Sequence, residues 1–237
     1  MATPDDERPF LSLILPVLNE APTLATQLAQ LQCLRARGAE LLVVDGGSSD
    51  GTLALAADGA DRLLDSPRGR ALQMNAGARA SRGEVLLFVH ADTTLPRDAD
   101  ALIRAAIVGG ATWGRFDVTI ASRHRLLRIV AAMMNWRSRL TGIATGDQAI
   151  FVRREAFLAV GAFPELALME DIALCKRLKA IASPACLRAR VSTSGRRWEK
   201  HGVLRTIVLM WRLRTSYFLG ADPAQLALRY GYSPRQP

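Results

Sequence analysis

Short apolar runs alternate with stretches of helical period through the first half of the chain. Phe10 to Leu15 predicts a first strand that Pro16 should stop, because proline cannot donate to a ladder. Leu24, Leu28, Leu31 and Leu34 then recur at helical spacing, with Gly38 to end that helix. Glu40 to Val44 predicts a second strand, followed by a helix from about Ser49. Asp61 to Asp65 predicts a short third strand. An alanine-rich helix over Arg70 to Ser81 follows, closed by Gly83, and then the most apolar strand, Glu84 to Val89. Pro96 suits the first turn of the next helix. Strand and helix alternating through short links predict an α/β fold: a mostly parallel central sheet with helices on both faces.

The second half is less regular. Thr112 to Ala121 predicts a strand. Arg123 to Leu140 predicts a helix with Leu126, Leu127, Val130, Met133 and Met134 on its apolar side. Gln148 to Val152 and Leu187 to Ser192 predict further strands, and Met169 to Ile181 a helix with acids at its front. Val203 to Leu213 predicts an amphipathic basic helix. No stretch has the composition of a linker, so a single domain over 1–237 is expected.

Composition narrows the partners. The net charge of +9 favours an anionic one: nucleotide phosphates, nucleic acid or a membrane surface. Aromatics are only 6% and do not interleave with basic residues, which argues against nucleic acid. Cys33, Cys175 and Cys186 are scattered without a C-x-x-C pair, as expected of reduced thiols in a cytoplasmic protein. Met1 to Pro9 is acidic and polar, unlike a signal peptide, and no apolar run has membrane-spanning length. Arg188, Arg190, Arg196, Arg197, Lys200, Arg205, Arg212 and Arg214 form a basic surface set. Its helix can lie on anionic lipid, giving a peripheral place at the inner membrane face, or pack on the domain with its charges in water.

Candidate chemistry gathers where strands should end. Asp45 closes the second strand and leads into Gly46-Gly47-Ser48-Ser49-Asp50-Gly51-Thr52. The carboxyl ends of parallel strands are where open sheets bind ligands, and glycines let a ligand approach the backbone. The alternative is a plain turn with Ser48 or Ser49 as helix cap. After the first strand, Glu20 beside Asn19 can accept a ribose hydroxyl or favour a helix start. Arg68 and Arg70 flank Gly69, a turn suited to phosphate or simply solvated. In His90-Ala91-Asp92 a carboxylate can hold a divalent ion that bridges two phosphates. His90 lies on the same side of an extended chain, and its imidazole suits Mn²⁺ better than Mg²⁺. Gly146, Asp147 and Gln148 can hold sugar hydroxyls or form a turn. Glu170 and Asp171 open a helix, where a general base or mere complementing of the dipole explains them. Arg196 and Arg197 can close over a diphosphate, face lipid or start a solvated helix.

Taken together these residues resemble the family 2 glycosyltransferases of the GT-A fold across about residues 10–180. The matching segments are Leu13-Ile14-Leu15-Pro16 with Asn19-Glu20, and Val43 to Thr52. They continue with Asn75-Ala76-Gly77, Arg82-Gly83-Glu84, Phe88 to Asp92, and Glu170-Asp171. His90 to Thr93, Gly146 to Phe151, Leu168 to Ile172 and Gly195 to Lys200 resemble one bacterial subgroup, named for arsenosugar biosynthesis and found beside radical-SAM proteins.

The resemblance implies transfer of a sugar, with inversion, from a nucleotide diphosphate donor to an acceptor hydroxyl. A UDP-sugar is expected as donor, and a small molecule or a lipid-linked molecule as acceptor. Residues about 10–95 would bind the nucleotide, about 96–200 the acceptor, and a basic helical tail would cover about 200–237. Asp45 would contact the base, with Pro16 and Glu20 around base and ribose. Asn19, Gly47, Arg68, Arg70, Asn75 and Ala91 would complete that side, with Arg196 and Arg197 on the diphosphate. Asp92 would be the metal-binding acid of a D-x-D motif, with Mn²⁺ or Mg²⁺ as cofactor. Asp171 would be the catalytic base, with Glu170 beside it. His90 departs from the pattern, standing where the first Asp of D-x-D is usual. A dinucleotide-binding dehydrogenase would carry G-x-G-x-x-G after the first strand, and Pro16 to Glu20 does not supply it. A nucleotidyltransferase would carry a glycine-rich basic loop there, equally absent. A non-catalytic nucleotide-binding or membrane-surface protein derived from a transferase stays open, because of His90 and the basic second half.

Overall fold

Every residue of β1 (Leu11–Val17) is buried, and strand alternation sends Leu11, Leu13, Leu15 and Val17 into one core and Ile14 into another. β2 (Glu40–Asp45) divides Leu41 and Val43 from Val44 in the same way, and β4 (Val85–Phe88) divides Val85 and Leu87 from Leu86 and Phe88. Burial on both faces is why these segments read as continuous apolar runs. The computed structural model describes residues 8–232. The first core is filled by α1 (Ala21–Arg35), α2 (Thr52–Gly59) and α4 (Ala99–Val108). The second takes α3 (Arg70–Ala80), α6 (Arg154–Ala159) and α7 (Glu170–Lys179), with contributions from α9 (Val203–Phe218) and α10 (Pro223–Tyr230).

The sheet has eight strands in the order β3-β2-β1-β4-β7-β6-β8-β5. β1 is parallel to β2 and β4, β2 to β3 (Arg62–Asp65), and β6 (Trp113–Ala121) to β8 (Ala185–Ser194). β7 (Phe151–Arg153) runs antiparallel between β4 and β6, and β5 (Thr93–Thr94) antiparallel on the edge of β8. The five steps from Phe88 to Thr93 reach at most ~17 Å. In a flat sheet β4 and β5, four positions apart, would stand ~19 Å apart even at closest. The sheet therefore curls, and the curl draws the second half toward the carboxyl ends of β1, β2 and β4.

Several boundaries differ from the sequence pattern. Pro16 does not stop β1 but lies inside it, opposite Val44. Ile14 O accepts from Val89 N on the β4 side, so alternation turns the Pro16 nitrogen to that side too, beyond the last β4 pair, where no donor is needed. α2 begins at Thr52 rather than Ser49, because the intervening side chains organise the loop. Gly146–Gln148 is a 3-10 turn, not a strand start. α5 (Arg125–Thr141) matches its prediction closely, α9 continues past Leu213 to Phe218, and α10 lies within the helical tail expected over about 200–237. Of the expected tail, residues 233–237 lie outside the described residues, as do 1–7.

Gly77 lets α3 lie close on the sheet. A Cβ there would come within 2.6 Å of Ile14 Cγ2 and 3.0 Å of Val44 Cγ2. Gln73, on the same helix, donates from Nε2 to Val17 O and Val44 O, both at 2.8 Å, and so fixes α3 to the strand ends that carry the candidate site.

Candidate active site

The loops after β1 and β2 hold each other in shape. Asp45 is 1% exposed, and its carboxylate accepts from Gly47 N and Ser48 N, both at 2.8 Å, and from the Ser48 hydroxyl. Asn19, at φ 54°, donates from its backbone to Ser48 Oγ at 2.8 Å and accepts from Ser49 N at 2.8 Å. Glu20 N donates to Thr52 Oγ1 at 2.9 Å, while Asp50 accepts from Ala21 N and Thr52 N. The Glu20 carboxylate accepts from Thr23 Oγ1 at 3.0 Å. The structure thus turns Asp45 into its own loop, where it sets the backbone shape of Gly46 and Gly47.

Across from these loops the structure assembles a cluster from both halves. His90 Nδ1 lies 3.5 Å from Asp147 Oδ1. The imidazole rests on Gly146, where a Cβ would lie 2.3 Å from His90 Cε1 and 2.4 Å from Nε2. Gly146 N donates to Asp171 Oδ2 at 2.9 Å, and Asp171 Oδ1 accepts from Ile172 N at 2.7 Å, within the first turn of α7. Next to Asp171, buried Glu170 places Oε1 3.7 Å from Arg70 Nη1, which links α7 to the turn after β3. Burial works against the Asp147 anion, yet the hydrogen bond from His90 and the charges of His90, Arg70 and Arg214 hold its carboxyl below the ordinary aspartate range. Glu170 moves the other way: burial, reinforced by Asp171 and opposed by Arg70, pushes its carboxyl up.

Other expected residues make contacts within the protein itself. Asn75 is buried and pairs both amide ends with the backbone of Phe163, at 2.9 and 3.0 Å. Gln148 is fully buried and bonds Thr145 N and Ser138 Oγ. Arg196 bonds Ser194 Oγ. Arg197 stacks 3.6 Å from the Tyr230 ring centroid and donates to Tyr230 O, while Arg68 lies 5.2 Å from the Tyr232 ring centroid. The chain from α10 onward therefore meets both basic segments. Tyr230 is near enough to Arg70, Asp147 and Asp171 to feel their charges, and burial raises its hydroxyl pKa. Sequence reasoning missed Tyr230, and it also missed Arg137 on α5. Arg214 it placed on the surface. Both arginines instead carry buried guanidinium nitrogens and feel the charge of Asp171. Their sequence signal, arginine within an amphipathic helix, is the same as that of a solvated face.

The donor set bears on a divalent metal. His90 places Nδ1 3.5 Å from Asp147 Oδ1 and rests its ring on Gly146. Among the described residues no three histidine, cysteine or acidic side chains cluster as a metal site. Asp92 fits an ion held by one protein carboxylate and otherwise by substrate oxygens, a common arrangement for Mg²⁺ with phosphates.

Solved structures with this fold include transferases. One is S. aureus TarS 1-349 in complex with UDP-GlcNAc, at TM-score 0.65 and 17% identity over 78% of this chain and 58% of that one. Another is mannosyltransferase PcManGT from Pyrobaculum calidifontis, in complex with GDP-Man and Mn²⁺, at 0.63 and 21% over 98% and 67%. A third is glucosyl-3-phosphoglycerate synthase from Mycobacterium tuberculosis with Mn²⁺, UDP and phosphoglyceric acid, at 0.58 and 16% over 78% and 69%. At such identities they establish the fold, a GT-A arrangement. In sequence, the PGL/p-HBAD biosynthesis glycosyltransferases of Mycobacterium tuberculosis and Mycobacterium bovis are 38% identical over 109 residues. That match takes in 43% of this chain and 42% of theirs, so the chain spans less than half the length of these relatives. Residues 12–158, more than half of the chain, match the family model of glycosyl transferase family 2, and the chain belongs to that family.

Proposed function

We propose that the chain transfers a sugar, with inversion, from a nucleotide diphosphate donor to an acceptor hydroxyl, with Asp171 as general base. The observation that carries this reading is the convergence of Asp171, Asp147, His90 and the Glu170–Arg70 pair, with His90 just past the carboxyl end of β4 and Arg70 at the start of α3. The base and ribose lie along the Asn19, Glu20 and Asp45 loops, near Pro16 and Gly47. The Arg68–Arg70 turn faces the diphosphate, and Ala91 and Asp92 lie beside it. Asp92 would hold a divalent ion, which would supply charge neutralisation for the departing diphosphate. Asp171, held by the Gly146 and Ile172 N–H groups, takes the acceptor proton as the hydroxyl attacks the face opposite the diphosphate. One base suffices, because no covalent sugar intermediate forms. Asp147, nearly half exposed, is placed to orient a sugar hydroxyl. The subgroup named for arsenosugar biosynthesis belongs to the same reading, since its Gly146 to Phe151 and Leu168 to Ile172 segments meet at this point.

A thermal-shift series tests the donor class. UDP and UDP-sugars, with Mn²⁺ or Mg²⁺, should stabilise the protein more than NAD or ATP. At a hundredfold excess over Kd the linkage is about 2.7 kcal/mol. Equal stabilisation by NAD overturns the assignment.

A second observation favours a peripheral place on an anionic membrane, with a lipid-linked acceptor. α5 and α9 meet through Leu127, Ala131 and Val203. Away from that contact each carries an exposed apolar stripe: Leu126, Ile129, Met133, Trp136 and Leu140 on α5, and Leu204, Val208, Trp211 and Phe218 on α9. Exposed Arg128, Arg205 and Arg212 border them, the composition of helices that lie in an anionic interface. Among the described residues no helix is long and apolar enough to cross a membrane.

A further inference from the structure

Two arginine pairs in the second half are built differently. Arg115 on β6 and Arg139 on α5 share one carboxylate: Asp117 accepts from Arg115 Nη1 and, at 2.6 Å, from Arg139 Nη2. Arg115 adds a bond to Asn135 O at 3.2 Å. That pair is tied to a carboxylate, although Arg115 Nε is itself buried without a hydrogen-bond partner. Arg137 on α5 and Arg214 on α9 have no hydrogen bond or carboxylate in common, and Arg137 feels the charge of Arg214. Neither is within ion-pair distance of an acid among the described residues, since the pairs found there all involve other side chains. Arg137 Nε and Nη2 and Arg214 Nε are buried without a hydrogen-bond partner.

That arrangement is costly. A buried donor left unpaired loses its hydration for nothing, and two like charges side by side repel. Burial, with Arg214 next in weight, lowers the Arg137 pKa to about 10, and burial lowers that of Arg214 as well. The carboxylates that act on both are those of the candidate site: Asp171 on each, and Asp147 on Arg214. Two partly buried guanidiniums with unpaired nitrogens, both feeling the charge of Asp171, match the two-pronged donors that recognise phosphate and carboxylate.

We propose that Arg137 and Arg214 form an oxyanion-binding site, separate from the Arg68–Arg70 turn, which receives a phosphate or carboxylate group next to Asp171. Arg137 sits on the helix of the expected acceptor wall and Arg214 beyond the segment that matches the family. The site therefore belongs on the acceptor side, and an acceptor bearing an acidic group is the source this placement favours. The other source of the same chemistry is the donor's leaving diphosphate. Only the choice of source rests on the transferase reading.

The test is thermal shift and calorimetry with inorganic phosphate, at ionic strength matched by chloride, on the wild type, R137Q, R214Q and R137Q/R214Q. Phosphate should stabilise the wild type beyond chloride and bind the double variant at least about tenfold more weakly, a charge-assisted bond being the stronger kind. Without phosphate the double variant should still unfold in one cooperative transition, because it loses no ion pair and only the longer-range attraction of Asp171 and Asp147, which separates a lost site from a lost fold. R137K/R214K, which keeps the charges, should retain part of the phosphate response. Saturating UDP identifies the source. If phosphate still binds through the arginines with UDP present, the acceptor supplies the anion. If UDP abolishes phosphate binding, and UDP but not uridine binds the double variant at least tenfold more weakly, the donor supplies it. If neither phosphate nor UDP distinguishes the double variant from the wild type, the proposal is overturned. These readouts need no sugar transfer, so failure to find a donor sugar does not decide them.

Discussion

The loops of the first half and the helices of the second treat their polar groups in opposite ways. Asp45, Asp50 and Asn19 are bound to neighbouring backbone and hydroxyl donors within two adjoining loops. Glu170 is buried with one long ion pair, and Arg137 and Arg214 carry buried guanidinium nitrogens with none. The first arrangement gives a rigid shape that needs no ligand. The second stores unfavourable charge where chemistry is expected, the usual mark of a functional site. A shape-setting residue should cost stability when changed, whereas a poised one should cost activity.

The sharpest break in this comparison is Asp171→Asn. The amide keeps the shape and removes the basicity, and a positioned base contributes roughly 10²–10⁴-fold. Transfer should fall by at least about a hundredfold while UDP still binds, and the melting temperature should drop only modestly, since one of the Gly146 and Ile172 N–H groups loses its acceptor. If Asp171→Asn transfers normally and Glu170→Gln does not, the role passes to Glu170. If neither matters, both acids only complement the start of α7.

Gly146→Ala should damage both properties at once. Its Cβ would stand where the His90 ring lies, so either the ring or the Gly146–Gln148 turn must move. Overpacking of this kind costs typically 1–3 kcal/mol, and movement of Gly146 N withdraws one of the two donors that hold Asp171. Denaturant unfolding and transfer rates should both drop, whereas loss of stability at full turnover would show that the Gly146–Asp171 bond is dispensable.

These contrasts also explain what was legible in the sequence. The βαβ half was readable because its signals are local: apolar runs, leucines at helical spacing, and polar residues just after strand ends. The sheet's curl and the antiparallel β7 were not, since they depend on pairings between distant segments. Residue type misled where the partner was remote. Asn75 and Gln148 looked like ligand-binding amides, yet they close on Phe163, Thr145 and Ser138. Arg214 looked solvated because its helix pattern is amphipathic, and only the packing of α9 beside Asp171 and Asp147 shows which way it faces.

The exposed stripes give a weaker effect, readable by flotation. Trp136 is 65% exposed and Trp211 64%. Replacing both by Ser should reduce binding to vesicles rich in anionic lipid while transfer to a soluble acceptor is unaffected. Binding should also weaken with salt, since exposed charges are screened over about 10 Å at 0.1 M. Failure of the wild type to float with anionic vesicles at low salt would remove the membrane reading.

The smallest effect concerns pH and separates Glu170 from Asp147. Burial raises the Glu170 carboxyl above its unfolded value of about 4.3. Between that value and its folded pKa the native state holds the proton more tightly than the unfolded chain, so stability falls as pH rises through the window. The advantage of the protonated form is complete below the unfolded value and gone above the folded one. Glu170→Gln fixes the neutral form, and Arg70, half exposed, can turn to water once its partner is gone. The variant should melt above wild type at pH 7–8, at roughly 2–4 °C for each kcal/mol recovered, and the gap should close toward pH 4. Asp147 has the opposite sign. Its lowered carboxyl contributes stability above the unfolded value of about 3.9 and loses it as pH falls through the folded one. Asp147→Asn should therefore melt below wild type at neutral pH, by less, since its side chain is 44% exposed. A Glu170→Gln gap that stays constant from pH 4 to 8 would mean that Glu170 is not the poised acid, and the contrast between the two halves would then rest on Arg137 and Arg214 alone.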